Sequence, residues 1–320
     1  MTVAHNTRGG GPAAGRRSAP PPTSAPGGPR AARRRRTAAL TPWLFLAAPL
    51  ALLLMFTYLP VADMIGYSFT DWDGISPVRS YVGGENYTDL VTRPARFEVF
   101  LVSGFYLAAS FLQIGLALYF ATVLSFNTRC RNLFKGLLFF PYLVNGVAVG
   151  FVFLYFFQPD GTLDTLLRLV GAEGGLWLGD PDLANPSLAG VSVWRFMGLN
   201  MVLFLGAIQS IPPHLYEAAE LDGANRWQQF RHIIAPSIKP IISLSFILAV
   251  SGSLAVFEIP YIMTGGANGT ETFVIQTVKL AFQFDKVGLA SASAVVLLVL
   301  ILLITWAQRR LFPEERVELS

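Results

Sequence analysis

The chain has 320 residues, 53% of them hydrophobic and only 14% charged, against about 25% charged in a typical soluble domain. That balance excludes an ordinary water-soluble globule and points to a protein whose solvent is largely lipid. One cysteine, Cys130, excludes an internal disulfide. The net charge of +4 does not argue for nucleic acid, because the basic residues crowd the N-terminal tail at Arg30 and Arg33 to Arg36, beside a hydrophobic run, where such clusters set membrane orientation or meet anionic lipid.

Residues 1–36 are rich in Pro, Ala, Gly and Arg and are expected to be a disordered tail, since they cannot bury a core. Charge-free stretches then follow at intervals. The first lies between Arg36 and Asp63 and holds "TPWLFLAAPLALLLMFTYLPV". It is long enough to span, so an uncleaved first helix is expected rather than a signal peptide. The second runs from Glu98 to Arg129 and the third from Lys135 to Asp160. The fourth, about 187–211, carries one charge, Arg195, and the fifth, about 241–264, carries Glu258. The sixth lies between Lys286 and Arg309 and contains "VVLLVLILLITW". About 20 apolar residues cross the hydrocarbon core, and backbone in lipid must satisfy its own hydrogen bonds. The expected fold class is therefore all-α, a polytopic membrane protein of six transmembrane helices over residues 37–312, with a short C-terminal tail at 313–320.

Most of the 24 Lys and Arg lie in the N-terminal tail, the 127–135 loop, the 212–240 loop and the C-terminal tail. Basic residues stay in the cytoplasm, so both termini and the 212–240 loop are expected there, in the cell membrane.

That loop interrupts the pattern with a polar island, "PPHLYEAAELDGANRWQQFRHIIAP" at 212–236. Pro212 and Pro213 suit a helix start. Glu217 to Leu221 are helix formers, and Asp222-Gly223 reads as a stop. Trp227, Phe230, Ile233 and Ile234 recur at helical spacing in a second helix, which Pro236 and Pro240 are expected to end. An amphipathic helix lying on lipid would not need the acidic trio Glu217, Glu220 and Asp222 against an anionic leaflet; a knob for a groove on a partner would use it.

The extended pattern "EAAELDGANRWQQFRHIIAP" resembles the EAA loop, here 210–240, of permease subunits in binding-protein-dependent ABC importers. Glu217, Ala218, Ala219, Gly223, Ile233 and Pro236 match, while Ala235 stands where Leu is usual. "PWLFLAAPLALLLMFTYLPVADMIGYSFTDWDG", "GGENYTDL" and "FEIPYIMTGGANGTETFVIQTVKLAFQF" resemble the sugar-permease branch, of the first-permease (maltose) type. Gly265-Gly266-Ala267 replaces the usual Gly-Gly-Pro, which predicts a less rigid turn. The resemblance implies a type I importer permease with the MetI-like fold. It implies a second permease as heterodimer partner, two ATPase subunits docked on the EAA loops and an external solute-binding protein. Glu217, Ala218, Ala219, Asp222, Gly223 and Pro236 become the coupling residues. ATP and Mg would be used by the ATPase, with no cofactor on this chain.

The chain itself shows no engine. No Lys stands in a Gly-Lys-Ser/Thr context, His5, His214 and His232 are not spaced as metal ligands, and HExxH, CxxC and GxSxG are absent. No catalytic residue and no metal site are expected. Arg195 and Glu258 are charges within spans, and two readings stand for each: a pathway residue, or a side chain snorkelling to the outer boundary. The resemblance places sugar contacts on the inner faces of helices four and five, hence Arg195, Phe196 and Leu199, and Ala249, Ser253, Val256 and Phe257, with Phe196 and Phe257 as rings for a sugar. The expected cargo is a di- or oligosaccharide. The alternatives are glycerol phosphate or another polyol, which would want more than one inward cation, and an ion-coupled secondary transporter, which would show broken helices and paired ionisable groups at mid-membrane. A membrane-embedded enzyme would need clustered catalytic polar residues, and none is visible.

Overall fold

The computed structural model describes residues 43, 45–93, 95–126 and 130–311. The expected tails at 1–36 and 313–320 lie outside these residues. The chain divides into two compact units, Met1–Leu59 and Pro60–Ser320. What is described of the first is an apolar helix, α1, whose run Phe45–Tyr67 continues into the second.

Four further unbroken or nearly unbroken runs are long and apolar enough to cross a membrane: Val99–Ser125, Pro181–Gln209, Lys239–Thr264 and Val287–Arg310. They belong to α3 (Ala95–Ser125), α7 (Pro181–Gln209), α10 (Lys239–Leu254) with α11 (Glu258–Thr264), and α13 (Val287–Leu311). The expected third span is a bent pair, α4 (Arg131–Leu143) and α5 (Gly146–Phe156), turned by 96°. Counting that pair as one span makes six. Shorter helices fill the connections: α2 (Glu85–Thr92), α6 (Thr162–Leu169), α8 (Pro213–Leu221), α9 (226–237) and α12 (Phe273–Phe282).

Two departures from the sequence reading, and one accommodated proline, have local causes. The fourth span begins at Pro181, not near 187, because Asp180 caps it by accepting from the Asp182 N–H at 2.9 Å and Pro181 occupies its first position. Acidic residues that read as loop are favourable at a helix N-terminus. The third span bends because Val144 is extended and the Asn145 side chain starts a new helix by accepting from the Val147 N–H at 2.9 Å. The second helix of the island ends between Pro236 and Pro240, at Ser237, and a π turn over Phe230–Ile234 lets Pro236 sit within its last turn. Proline lacks an N–H and crowds the carbonyl four residues back, and a wide turn relieves that crowding. The same device occurs in α1, where the π turn Leu54–Tyr58 precedes Pro60.

Within the second unit the core forms two apolar clusters along α3 and α7, which run in the same direction. One joins Val102 and Tyr106 of α3 to Leu188, Ala189 and Val191 of α7, with Val149 of α5 and Ile259 and Met263 of α11. The other joins Ala117, Ala121 and Leu124 of α3 to Met201, Phe204, Leu205 and Ile208 of α7, and takes in Ile211, Ile234 and Ile238 from beyond α7. Side α4 lies so close to α7 that a Cβ at Gly198 would overlap the Leu138 carbonyl carbon, 2.7 Å away, and the Phe139 Cα, 2.8 Å away.

At the end of the bundle away from the Glu217 loop, hydrogen bonds tie the connections down. Asn185 donates to the Gly269 carbonyl at 2.9 Å and Asn268 to the Leu178 carbonyl at 2.8 Å. Thr270 is fully buried and donates to the Ala267 carbonyl at 2.7 Å. The Gly265-Gly266-Ala267 turn, expected to be loose without proline, is thus held by side chains. Asp164 of α6 is buried and accepts from the Trp177 indole N–H at 2.7 Å and the Asp160 N–H at 2.9 Å.

Two outcomes are expected. Replacing Gly198 by Ala forces α4 away from α7 and should lower thermal stability of the detergent-solubilised chain by about 1–3 kcal/mol equivalent; an unchanged melting point would count against the close contact. The Trp177 indole, then the backbone N–H groups of Asp160 and Gly175 and the nearby Arg168, hold the Asp164 carboxyl below the ordinary range. A carboxyl depressed in the fold stabilises above its unfolded value, about 3.9, and that contribution disappears as the pH falls through the lowered folded value. Trp177 emission, isolated by subtracting a Trp177→Phe spectrum, should hold steady above about pH 4 and shift red on further acidification, and should already be shifted at neutral pH in Asp164→Asn.

Candidate functional site

Between the two apolar clusters lies a cavity of about 460 Å³. Three helices each present it a stripe at helical spacing. Tyr106, Ser110 and Gln113 come from α3. Ser192, Arg195, Phe196, Leu199, Asn200 and Leu203 come from α7. Ser245, Leu248, Ala249, Gly252 and Ser253 come from α10, followed by Ala255 to Ile259 at the break into α11. All seven residues that the sequence reading set on helices four and five are therefore brought to one cavity: Arg195, Phe196, Leu199, Ala249, Ser253, Val256 and Phe257. The reading missed Tyr106, Ser110 and Gln113, whose polar spacing of four and three residues along the second span was a usable signal. It also missed Ser192, Asn200 and Ser245, each one helical turn from a residue it had chosen.

Arg195 and Glu258, considered separately in the sequence, meet here. Arg195 Nη1 donates to Glu258 Oε2 at 2.7 Å. Arg195 sits midway along α7, with a side chain only 13% exposed; that of Glu258 is 43% exposed. Arg195 also lies over the Phe196 ring, 5.1 Å from its centroid. Glu258 begins α11, where the helix dipole favours a negative charge. The pair rests against Gly146 at the bend of the third span, where a Cβ would collide with both the carboxylate and the guanidinium. The break before α11 is closed from another element: Thr272 donates its hydroxyl to the Val256 carbonyl at 2.7 Å. Phe257 stacks on Tyr261 with ring centroids 4.8 Å apart.

The second candidate surface is the polar island. Gly223, at φ +75°, ends α8. The Ala224 N–H returns to the Ala219 carbonyl at 2.9 Å and the Gly223 N–H to the Glu220 carbonyl at 3.1 Å, the paired bonds of a Schellman stop. Asn225 then opens α9 with a reciprocal capping box to Gln228. The two helices enclose a groove of about 320 Å³ lined by Ala219, Asp222, Gly223, Gln228 and His232 among others. Glu217 and Ala218 are exposed on α8 outside the groove lining, and Pro236 is exposed on α9. No carboxylate lies in the first turn of α8, so Glu217 is not placed for helix-start electrostatics. Leu221 is 90% exposed and Trp227 66%.

The elbow is anchored behind this exposed face. Ile234 and Ile238 of the α9 region are buried in the cluster with Phe204 and Ile208 of α7, and Tyr216, Phe230 and Ile233 pack against it. Arg226 lies over the Phe126 ring at the end of α3, 4.6 Å from its centroid. Burying a side chain the size of Ile is worth about 1.5–3 kcal/mol, so the elbow is held by several such contacts rather than by a hinge.

Broken helices and a paired arginine and glutamate were the features set as the mark of an ion-coupled secondary transporter. Both are present, so that criterion does not separate the classes for this chain; relatives do. The model of the family described as "Binding-protein-dependent transport system inner membrane component" matches residues 113–317. The chain is 33% identical over 285 residues to the probable ABC transporter permease protein YurN of Bacillus subtilis (strain 168), covering 87% of this chain and 97% of that one. It is 30% identical over 281 residues to AmyD of Thermoanaerobacterium thermosulfurigenes, a probable starch degradation products transport system permease protein, covering 87% and 95%. Among solved structures, its fold matches a chain of a bacterial alginate ABC transporter in complex with an alginate pentasaccharide-bound periplasmic protein, with TM-score 0.77, 20% identity and coverage of 87% and 96%. Because the family model spans more than half of the sequence and the Bacillus relative most of it, the chain is an integral membrane protein of the binding-protein-dependent transport family, whose members are ABC transporter permeases.

Proposed function

We propose that this chain is one permease subunit of an ATP-driven importer for a di- or oligosaccharide, that it lines half of the pathway, and that it is driven through the 210–240 elbow. The observation that carries the reading is mechanical. The exposed elbow packs through Ile234 and Ile238 on Met201 and Phe204 of α7, the helix whose Arg195, Leu199 and Leu203 line the cavity. Packed interiors have low compressibility and transmit displacement, so a push on α8 and α9 moves α7 and α3. The cavity has hydroxyl and amide groups beside the aromatic rings of Tyr106, Phe196 and Phe257, a chemistry suited to sugar hydroxyls and to the apolar faces of pyranose rings. The relative named for starch degradation products has a cargo of that class.

In this reading the groove and Glu217 face an ATPase, which binds and hydrolyses ATP with Mg, while this chain performs no covalent step. A second permease completes the pathway as a heterodimer, a second ATPase serves that partner, and an external solute-binding protein delivers the sugar. The basic loops put the elbow and both termini in the cytoplasm. Polyol phosphate is disfavoured because Arg195, the arginine among the described residues lining the cavity, is already engaged by Glu258.

Purification through a tag on this chain should bring down a second permease and an ATPase. Glu217→Lys should abolish saccharide uptake while the chain still inserts; normal uptake in that variant would remove Glu217 from the docking surface. Ile234→Ala removes about 2–5 kcal/mol of packing behind the elbow. It should leave ATP hydrolysis by the assembled transporter running while uptake falls, whereas parallel loss or parallel retention of both activities would mean that this cluster does not carry the stroke.

A further inference from the structure

We infer that Glu258 selects cargo by charge: it cancels Arg195 and so restricts the cavity to neutral saccharides. This rests on the saccharide reading above and adds to it the class of saccharide and the residue that sets it. Among the described residues lining the cavity, Arg195 and Glu258 are the charged ones, and they form a pair. The net charge of the wall is therefore zero, although a cation stands at its centre.

The pair is also asymmetric. Arg195 is nearly covered, with its Nη1 on Glu258 Oε2, its face on Phe196 and its Nε buried. Glu258 is the more exposed partner. Both side chains line the cavity, and the carboxylate is the more accessible of the two charges. Sugar hydroxyls donate to such an oxygen, and a hydrogen bond to a charged group is among the stronger ones. A carboxylate, sulfonate or phosphate on the cargo has no proton to donate and faces a like charge where the dielectric is low. The position leaves little slack for the pair to open toward the cargo, because Gly146 packs directly against both side chains.

The arrangement makes an arithmetic prediction. Glu258→Gln leaves one uncompensated positive charge, Arg195→Gln one uncompensated negative charge, and the double variant none. The test is equilibrium dialysis of labelled saccharides against the full-length transporter in nanodiscs, without its solute receptor, so that the receptor's own selectivity does not enter. The neutral probes are maltotriose, cellotriose and chitotriose; the acidic probe is trigalacturonate. Wild type should retain at least one neutral probe and not trigalacturonate. E258Q should shift the ratio of acidic to neutral retention by about 10- to 100-fold toward trigalacturonate. The double variant should reject trigalacturonate again, which a merely misfolded single variant would not explain. An unchanged ratio in E258Q, loss of every probe in both E258Q and the double variant, or wild-type retention of trigalacturonate as tight as that of a neutral probe would each overturn the charge selector while leaving saccharide transport standing. Retention of none of the four probes at millimolar concentration would overturn the saccharide reading, and this inference with it.

Discussion

Hydrocarbon cannot hydrogen-bond, so every interruption of a spanning helix leaves amide groups that the protein must satisfy from its own atoms. This chain interrupts two spans, between Leu143 and Gly146 and between Leu254 and Glu258. Asn145 and Thr272 supply side-chain partners at those interruptions, and the Arg195–Glu258 pair joins the second interruption to the middle of α7 while resting on the first. Irregular backbone at such depth is tolerated where it lines a cavity, and the break before α11 does line one. The cavity, the ion pair and the bends are thus parts of one arrangement: the pair packs on Gly146 and Phe196, and the second break is bonded by the Thr272 hydroxyl.

The apolar packing divides the work along the bundle axis. One cluster lies on the α11 side of the cavity, and the other lies on the elbow side and continues into the elbow itself. The continuity runs through Ile234, at the end of the π turn, and Ile238, at the junction of α9 and α10, both buried against α7. The elbow is thereby packed on the helix that lines the cavity, which is the arrangement the proposed coupling uses.

Much of this was legible beforehand because the signals are local. Runs of apolar residues free of charge mark spans whatever their neighbours are, and the two-helix elbow follows from prolines, Glu217 to Leu221, Gly223 and the 3.6-residue spacing of Trp227, Phe230, Ile233 and Ile234. Placement of Arg195 with Leu199, and of Ala249 with Ser253 and Val256, on common faces followed from the same periodicity. Helix detail was read less well: Asp180 looked like loop and caps a span, and the wide turn that seats Pro236 in the last turn of the elbow's second helix is not visible in the pattern. Both are local backbone geometries that a one-dimensional pattern does not encode.

By itself, the order of residues determined the all-helical class, the apolar runs long enough to cross a membrane, the two-helix elbow and which residues share a helix face, because each depends on contacts within a few turns of one helix. The tertiary structure alone decided that Arg195 and Glu258 neutralise each other across 63 positions, that the third span folds over them at Gly146, and that Gln113, Asn200 and Ser245 share a wall with the chosen residues. Those facts depend on how separate helices rotate and bend against one another, and a buried charge reveals its partner only when the helices that carry both are set side by side.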